Sequence, residues 1–177
     1  LVRVLAADNI DNSTKQSWQK LIDTDLRQGG TGSTISVRDK FDYDCCLHAL
    51  LHRELEPAQW DLLIAKYSTH KANKVAAIGR LISRIVSPAP QLFIYKAVTA
   101  WAIPKLRGVQ ARNRSADMIV LPAEFYDMNT WDMEGKPEST RRRWKTGIAK
   151  CLERLEEAAV VHATDIFDRE EIFIDAA

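Results

Sequence analysis

The chain reads as a mainly α protein. A helical body over residues 41–177 carries a helix-turn-helix at about 122–160, and an extended N-terminal arm covers residues 1–40. Three observations predict this. Apolar residues recur at helical spacing in one segment after another. Prolines at positions 57, 90, 104 and 122 fall between those segments, where they end one helix or open the next. The charge is segregated into blocks rather than mixed. No internal repeat is present.

Taken in order, residues 1–40 have weak periodicity. Ser13 to Arg27 allows a short helix, with Asp11, Asn12 or Ser13 as cap and Trp18, Leu21, Ile22 and Leu26 as a stripe. "RQGGTGSTIS", Arg27 to Ser36, holds Gly29, Gly30 and Gly32 but lacks the Lys-Ser/Thr and the preceding strand of a phosphate loop, so it reads as a flexible connector. Asp39 to Glu54 is helical, with Phe41, Cys45, Leu47, Leu50 and Leu51 toward a core. Pro57 opens a helix to Tyr67, with Trp60, Leu63, Ile64 and Tyr67 on one face. Lys71 to Val86 follows, apolar at Val75, Ile78, Leu81, Ile82 and Ile85 and basic at Lys74, Arg80 and Arg84. "SPAP" ends it.

Leu92 to Ile103 is apolar on nearly all sides, as in a buried helix, and Pro104 closes it. "KLRGVQARNRS", Lys105 to Ser115, is a basic loop. Asp117 to Leu121 reads as a short extended piece, Pro122 to Trp131 as a short helix, and "DMEGKP" as a turn. A long helix then runs to about Asp165, before an acidic tail.

Composition narrows the class. With 177 residues and 46% hydrophobic residues the chain can bury a core. The longest apolar stretch, Gln91 to Pro104, is interrupted by Lys96 and is short of the roughly 20 residues of a membrane span. No secretory pattern opens the sequence. Three cysteines, two adjacent, make no disulfide framework, and a reducing cytoplasm is the expected compartment.

The net charge of +1 hides strong asymmetry. Residues 1–61 hold seven Lys/Arg and ten Asp/Glu. Residues 62–116 hold ten basic residues and no acid. Residues 117–135 are net −5, 136–150 net +5, and 151–177 net −6. Such blocks can build a positive face on a near-neutral protein, the footprint expected for a nucleic-acid partner.

"ESTRRRWKTGIAKCLERL", Glu138 to Leu155, places three arginines at a helix start. Cations there oppose the helix dipole, so an anion is expected nearby. At 100° per residue, Ile148, Cys151, Leu152, Leu155 and Ala159 share a seam with Trp144. Arg142, Arg143, Thr146 and Lys150 lie opposite, and Gly147 to one side. One face packs and the other presents donors, which is what a recognition helix needs in the major groove. The rival reading pairs these arginines with Glu138, Glu153 or the acidic tail. The segment also resembles the last helix of region four of bacterial sigma factors at Thr140, Arg141, Arg143, Ala149, Lys150, Leu152 and Leu155. "LEPAQWDLLIAKYS" loosely resembles the helix that opens such a region.

Other constellations carry less. Cys45, His48 and His52 have the spacing to share a helix face, but no fourth ligand is identified, so packing and surface roles are expected and no metal or cofactor is assigned. No catalytic set stands out, and a non-enzymatic protein is expected.

"AKYSTHKANKVAAIGRLISRIVSPAPQLFIYKAVTAWAIPKL", followed by "MIVLPAEFYDMNTWD" and "STRRRW", resembles the Q-type antitermination proteins of lambdoid phages, in the branch that includes the AlpA regulator. The resemblance covers roughly residues 45–160. It implies a transcription antiterminator that binds a promoter-proximal DNA element through its helix-turn-helix and loads onto a paused RNA polymerase holoenzyme. It further implies that an N-terminal segment narrows the RNA exit channel around the nascent RNA, so that terminator hairpins cannot form.

On that reading Thr140, Arg141, Arg142, Arg143, Thr146 and Lys150 contact DNA. Trp18, Lys20, Arg27, Gly29, Gly30 and Gly32 belong to the channel arm. Lys71, Lys74, Arg80, Arg84, Lys105, Arg107, Arg112 and Arg114 form additional basic surface. The sequence lacks the zinc-binding cysteine pairs of some Q proteins. The alternatives are an ordinary helix-turn-helix activator or repressor and a small nucleic-acid enzyme.

Overall fold

The structure, a computed structural model, describes residues 1, 4–5, 37–105 and 119–170. Among the described residues five α-helices appear: α1 (Val37–Glu54), α2 (Pro57–Tyr67), α3 (Lys71–Arg84), α4 (Gln91–Ala102) and α5 (Glu138–Arg169). The coarse expectation of a mainly α fold therefore holds over these residues.

Helix α2 is the centre of the packing. Glu56 and Gln59 form a reciprocal capping box and Pro57 occupies the first turn, so the start is fixed by local chemistry. Gln59 and every residue from Asp61 to Ala65 are buried, leaving this helix enclosed on most of its circumference. It packs on α3, α4 and α5. Leu47, Leu51 and Leu55 of α1 and its exit join the same core, with Ile78 and Leu81 of α3 and Phe93 and Val98 of α4. Helix α5 contributes Trp144, Ile148, Leu152, Ala159, Ala163, Ile166 and Phe167.

Several expectations are corrected. Val75, counted with the apolar positions of this helix, is 58% exposed, because α3 turns only Ala77, Ile78 and Leu81 fully inward. The helix also ends at Arg84, two residues early. Helix α4 is less enclosed than its composition suggests: Leu92 and Tyr95 are exposed, while Phe93, Ile94, Ala97 and Val98 are buried. Helix α5 runs to Arg169 rather than Asp165. Cys151 is exposed, not part of the seam. The buried stripe of α5 is centred roughly 60° around the helix from Trp144, toward Ile148 and Leu152, which leaves Cys151 outside.

The expected α-helix over 122–131, the first helix of a helix-turn-helix, is two short 3-10 turns, Ala123–Tyr126 and Met128–Thr130. Asp127 between them is extended, and its carboxylate accepts from the Asn129 N–H at 3.0 Å, which ends the first turn and starts the second. Residues 119–121 form no strand. The turn that follows is built on buried Asp132, whose carboxylate accepts from the backbone N–H groups of Glu134 and Lys136, with Gly135 at φ 67°.

Two side chains tie this irregular segment down. The Tyr126 hydroxyl donates to the Ile103 carbonyl at the end of α4. The Trp131 indole N–H donates to the Phe125 carbonyl. Phe93 lies edge-on to both Trp131 and Trp144, at 5.3 and 5.5 Å between ring centroids.

At the other end of the chain, Val4 and Leu5 are helical and buried in the main core. The expected helix over Ser13–Arg27, the glycine connector, and all of the basic loop except Lys105 lie outside the described residues.

Truncating the aromatic anchor tests the assignment of faces. Trp144→Ala is expected to cost about 3–5 kcal/mol in chemical denaturation, while Arg143→Ala leaves the midpoint nearly unchanged. The reverse order would mean that the faces of α5 are exchanged.

Candidate nucleic-acid interface

The basic side chains divide into those the fold engages and those it leaves outward. The buried carboxylate of Asp61 accepts from Arg80 Nε at 2.8 Å and Arg84 Nη2 at 3.4 Å. Both guanidinium groups stay about half exposed, so they hold α2 to α3 and still face water. Lys74 Nζ donates to the carbonyls of Lys66 and Ser68 at the end of α2. Burial pushes its ammonium down to about 8. Lys66 pairs with Glu156 of α5 and lies 4.7 Å over the Trp101 ring. Arg169 bridges to Glu54 of α1.

Of the expected additional basic surface, Lys74, Arg80 and Arg84 thus serve helix contacts. Lys71 and Lys105 are exposed. Arg107, Arg112 and Arg114 lie outside the described residues, as do Trp18, Lys20, Arg27, Gly29, Gly30 and Gly32 of the channel arm.

The start of α5 differs. Pro137 is its N-cap, and no side chain caps the first turn. Glu138 pairs with Arg142 one turn on, at 2.6 Å, in a fully solvated setting worth only a few tenths of a kcal/mol (about 0.3–0.5). Thr140 and Arg141 are half-buried, and Arg141 Nε is buried without a hydrogen-bond partner among the described residues. Lys145 lies 5.1 Å over the Trp131 ring. Arg143, Thr146, Gly147, Lys150 and Arg154 are all exposed. Arg143, Lys150 and Arg154 make no ion pair among the described residues.

Their spacings of seven and four residues align these three cations along one line of the helix, about 16 Å from end to end. Arg154 is not among the residues that the sequence singles out. Its signal lies in that spacing, which continues the Arg143–Lys150 line by one turn. The structure brings Arg143, Thr146 and Lys150 onto one exposed face, with Arg142 beside them, and turns Thr140 and Arg141 partly inward.

The cysteine–histidine set has a different role. His48 and His52 each lie edge-on to Trp60 at 4.9 Å, which places them in the α1–α2 contact. Among the described residues no group of three His, Cys, Asp or Glu side chains could hold a metal ion. No described helix is long and apolar enough to cross a membrane.

No protein-family model matches the chain, and no curated protein or solved structure is detectably similar to it.

The α2–α5 contact yields a pH prediction. Tyr67 donates its hydroxyl proton to Glu156, and burial together with that bond pushes its pKa up to about 12. The folded protein then keeps a proton that the unfolded chain loses near pH 10. Stability from this group is complete below pH 10 and is lost as pH rises toward 12. Tyr67→Phe should flatten that alkaline loss when denaturation midpoints are compared across this range. An identical alkaline slope in both proteins would show that Tyr67 is not coupled to folding.

Proposed function

We propose that this protein binds duplex DNA through the first half of α5 and acts as a transcription antiterminator on RNA polymerase. One observation carries the DNA part. Arg143, Lys150 and Arg154 form an exposed line of cations unpaired among the described residues, whereas Lys66, Arg80 and Arg84 all have carboxylate partners within the fold. Side chains that satisfy no internal acid are available to phosphates.

The geometry fits a duplex. The helix start has no side-chain cap, so its free N–H groups favour an anion. The line of cations is about 16 Å long, and the major groove is about 12 Å wide. The first turn can enter the groove while Lys150 and Arg154 reach its rim. In the chain the 3-10 turns and the Asp132 turn precede α5, in the order that the first helix and turn have in a helix-turn-helix. Arg142 and Arg143 are the base-reading candidates, because arginine offers the bidentate fork that suits guanine.

The antitermination part rests on the resemblance of residues 45–160 to Q-type proteins. In this reading the protein is non-enzymatic and works in the cytoplasm. A promoter-proximal DNA element sets loading onto a paused holoenzyme, and Trp18, Lys20 and Arg27 belong to a segment beside the nascent RNA.

Two experiments test these parts. The Arg142→Ala/Arg143→Ala double variant should weaken specific DNA binding by about 1–3 kcal/mol for each arginine that reads a base. Unchanged affinity for specific and scrambled duplexes would remove α5 from the interface. In a purified transcription assay the full chain should raise readthrough of an intrinsic terminator, and Trp18→Ala should lower readthrough while leaving DNA affinity intact. A change in initiation alone would favour an ordinary activator or repressor, and alteration of the nucleic acid itself would favour an enzyme.

A further inference from the structure

Gly147 stands inside a 32-residue helix, where glycine is the least favourable residue after proline. Such a glycine is usually explained by close packing. Here that explanation fails within the chain: a Cβ built at Gly147 would meet nothing within 4 Å. Nor does the residue serve a turn, since α5 is one continuous helix through this position. Its flanks are cationic and outward. Arg143 lies one turn before it, Lys150 one turn after and Arg154 two turns after, with the exposed Thr146 hydroxyl adjacent.

We infer that Gly147 is the point of closest approach for a phosphodiester of duplex DNA, seated against the helix backbone between Arg143 and Lys150. This deepens the DNA-binding reading and rests on it. The glycine supplies room and not a donor, because its N–H is used inside the helix. Without a Cβ the phosphate comes nearer the helix axis, and the flanking cations act over shorter distances. Charge complementarity selects the occupant, since three cations unpaired among the described residues line this face. The acids bound the site on its far side. Glu157 lies beyond Arg154, Glu153 lies about 80° around the helix from the line of cations, and Glu156 is turned inward to Lys66 and Tyr67. The duplex backbone therefore crosses α5 between Arg143 and Arg154.

The test uses the full chain, a short mixed-sequence DNA duplex, a single-stranded RNA of equal length, and a salt series. Gly147→Ala should raise the thermal midpoint by roughly 2–4 °C, because alanine is the better helix former. It should also weaken duplex binding by roughly tenfold and lower the salt slope by about one phosphate. Arg143→Ala/Lys150→Ala should weaken binding with no gain in stability. If Gly147→Ala binds as well as the parent while the double variant does not, the close approach is overturned and the DNA reading stands. If neither change matters, or the parent does not bind the duplex, both are overturned. Equal binding of the RNA, with equal sensitivity to Gly147→Ala, would overturn the choice of duplex DNA.

Discussion

The edge-on contact of Phe93 with Trp144 and Trp131 is the constraint on which the rest depends. Phe93 is fully buried on α4, and the two indoles reach it from α5 and from the segment before it. Rotating α5 about its axis would withdraw Trp144 and open a cavity in the core. Its rotational setting is therefore fixed at the end where its arginines lie. The same cluster holds Trp131, whose indole N–H is satisfied by Phe125 and whose ring lies beneath Lys145. An irregular segment with little regular hydrogen bonding is thus tied to α4 and touches the first turns of α5 through Lys145. Local apolar packing decides which side chains face outward, and the charges follow from it.

The electrostatics are arranged in the same way. Residues 62–116 contain no acid, which in the sequence suggests an unbroken basic surface. In the fold, acids from outside that run come to meet it. Asp61, one residue before it, takes Arg80 and Arg84. Glu156, ninety residues away from Lys66, takes that lysine and Tyr67. Each pair joins α2 to a neighbour. Among the described residues, fewer cations are left without a carboxylate partner than the charge blocks imply, and Arg143, Lys150 and Arg154 of α5 form an aligned set of them.

The helices are legible in the sequence where capping and proline chemistry act locally. The capping box at Glu56 and Gln59 with Pro57 defines α2 without reference to anything distant. The failures have tertiary causes. Val75 obeys the helical period, yet α3 needs only a narrow stripe to cover α2. Cys151 lies close to Trp144 in angle, but the groove that receives α5 is centred on Ile148 and Leu152. The segment at 122–131 opens with a helix-start signal, Pro122-Ala123-Glu124, and the Asp127 carboxylate caps a second turn after it. Periodicity alone locates Arg143, Thr146 and Lys150. It misses Arg154, because that line of the helix continues beyond the segment where basic residues cluster.

Helix α5 is charged against its own dipole. Its first turns carry Arg141, Arg142 and Arg143, and its last turns carry Asp165 and Asp168, with Arg169 alone countering them. Within the terminal turns, which hold Arg141 and Asp168, such a placement is disfavoured by about 0.3–1 kcal/mol, and the effect fades further in. Glu138 relieves only Arg142, through an exposed pair that salt weakens. Gly147 adds a further cost with no internal contact in return. These features all weaken the isolated helix, and those of its first half fall on one exposed face or at one end. A duplex laid across that face, as proposed, would offset several of these. Phosphates favour the uncapped N–H groups, neutralise the arginines and use the space at Gly147. The interactions that the first half of α5 lacks when free are those that a polyanion supplies, which is the physical basis for the proposal that this face meets nucleic acid.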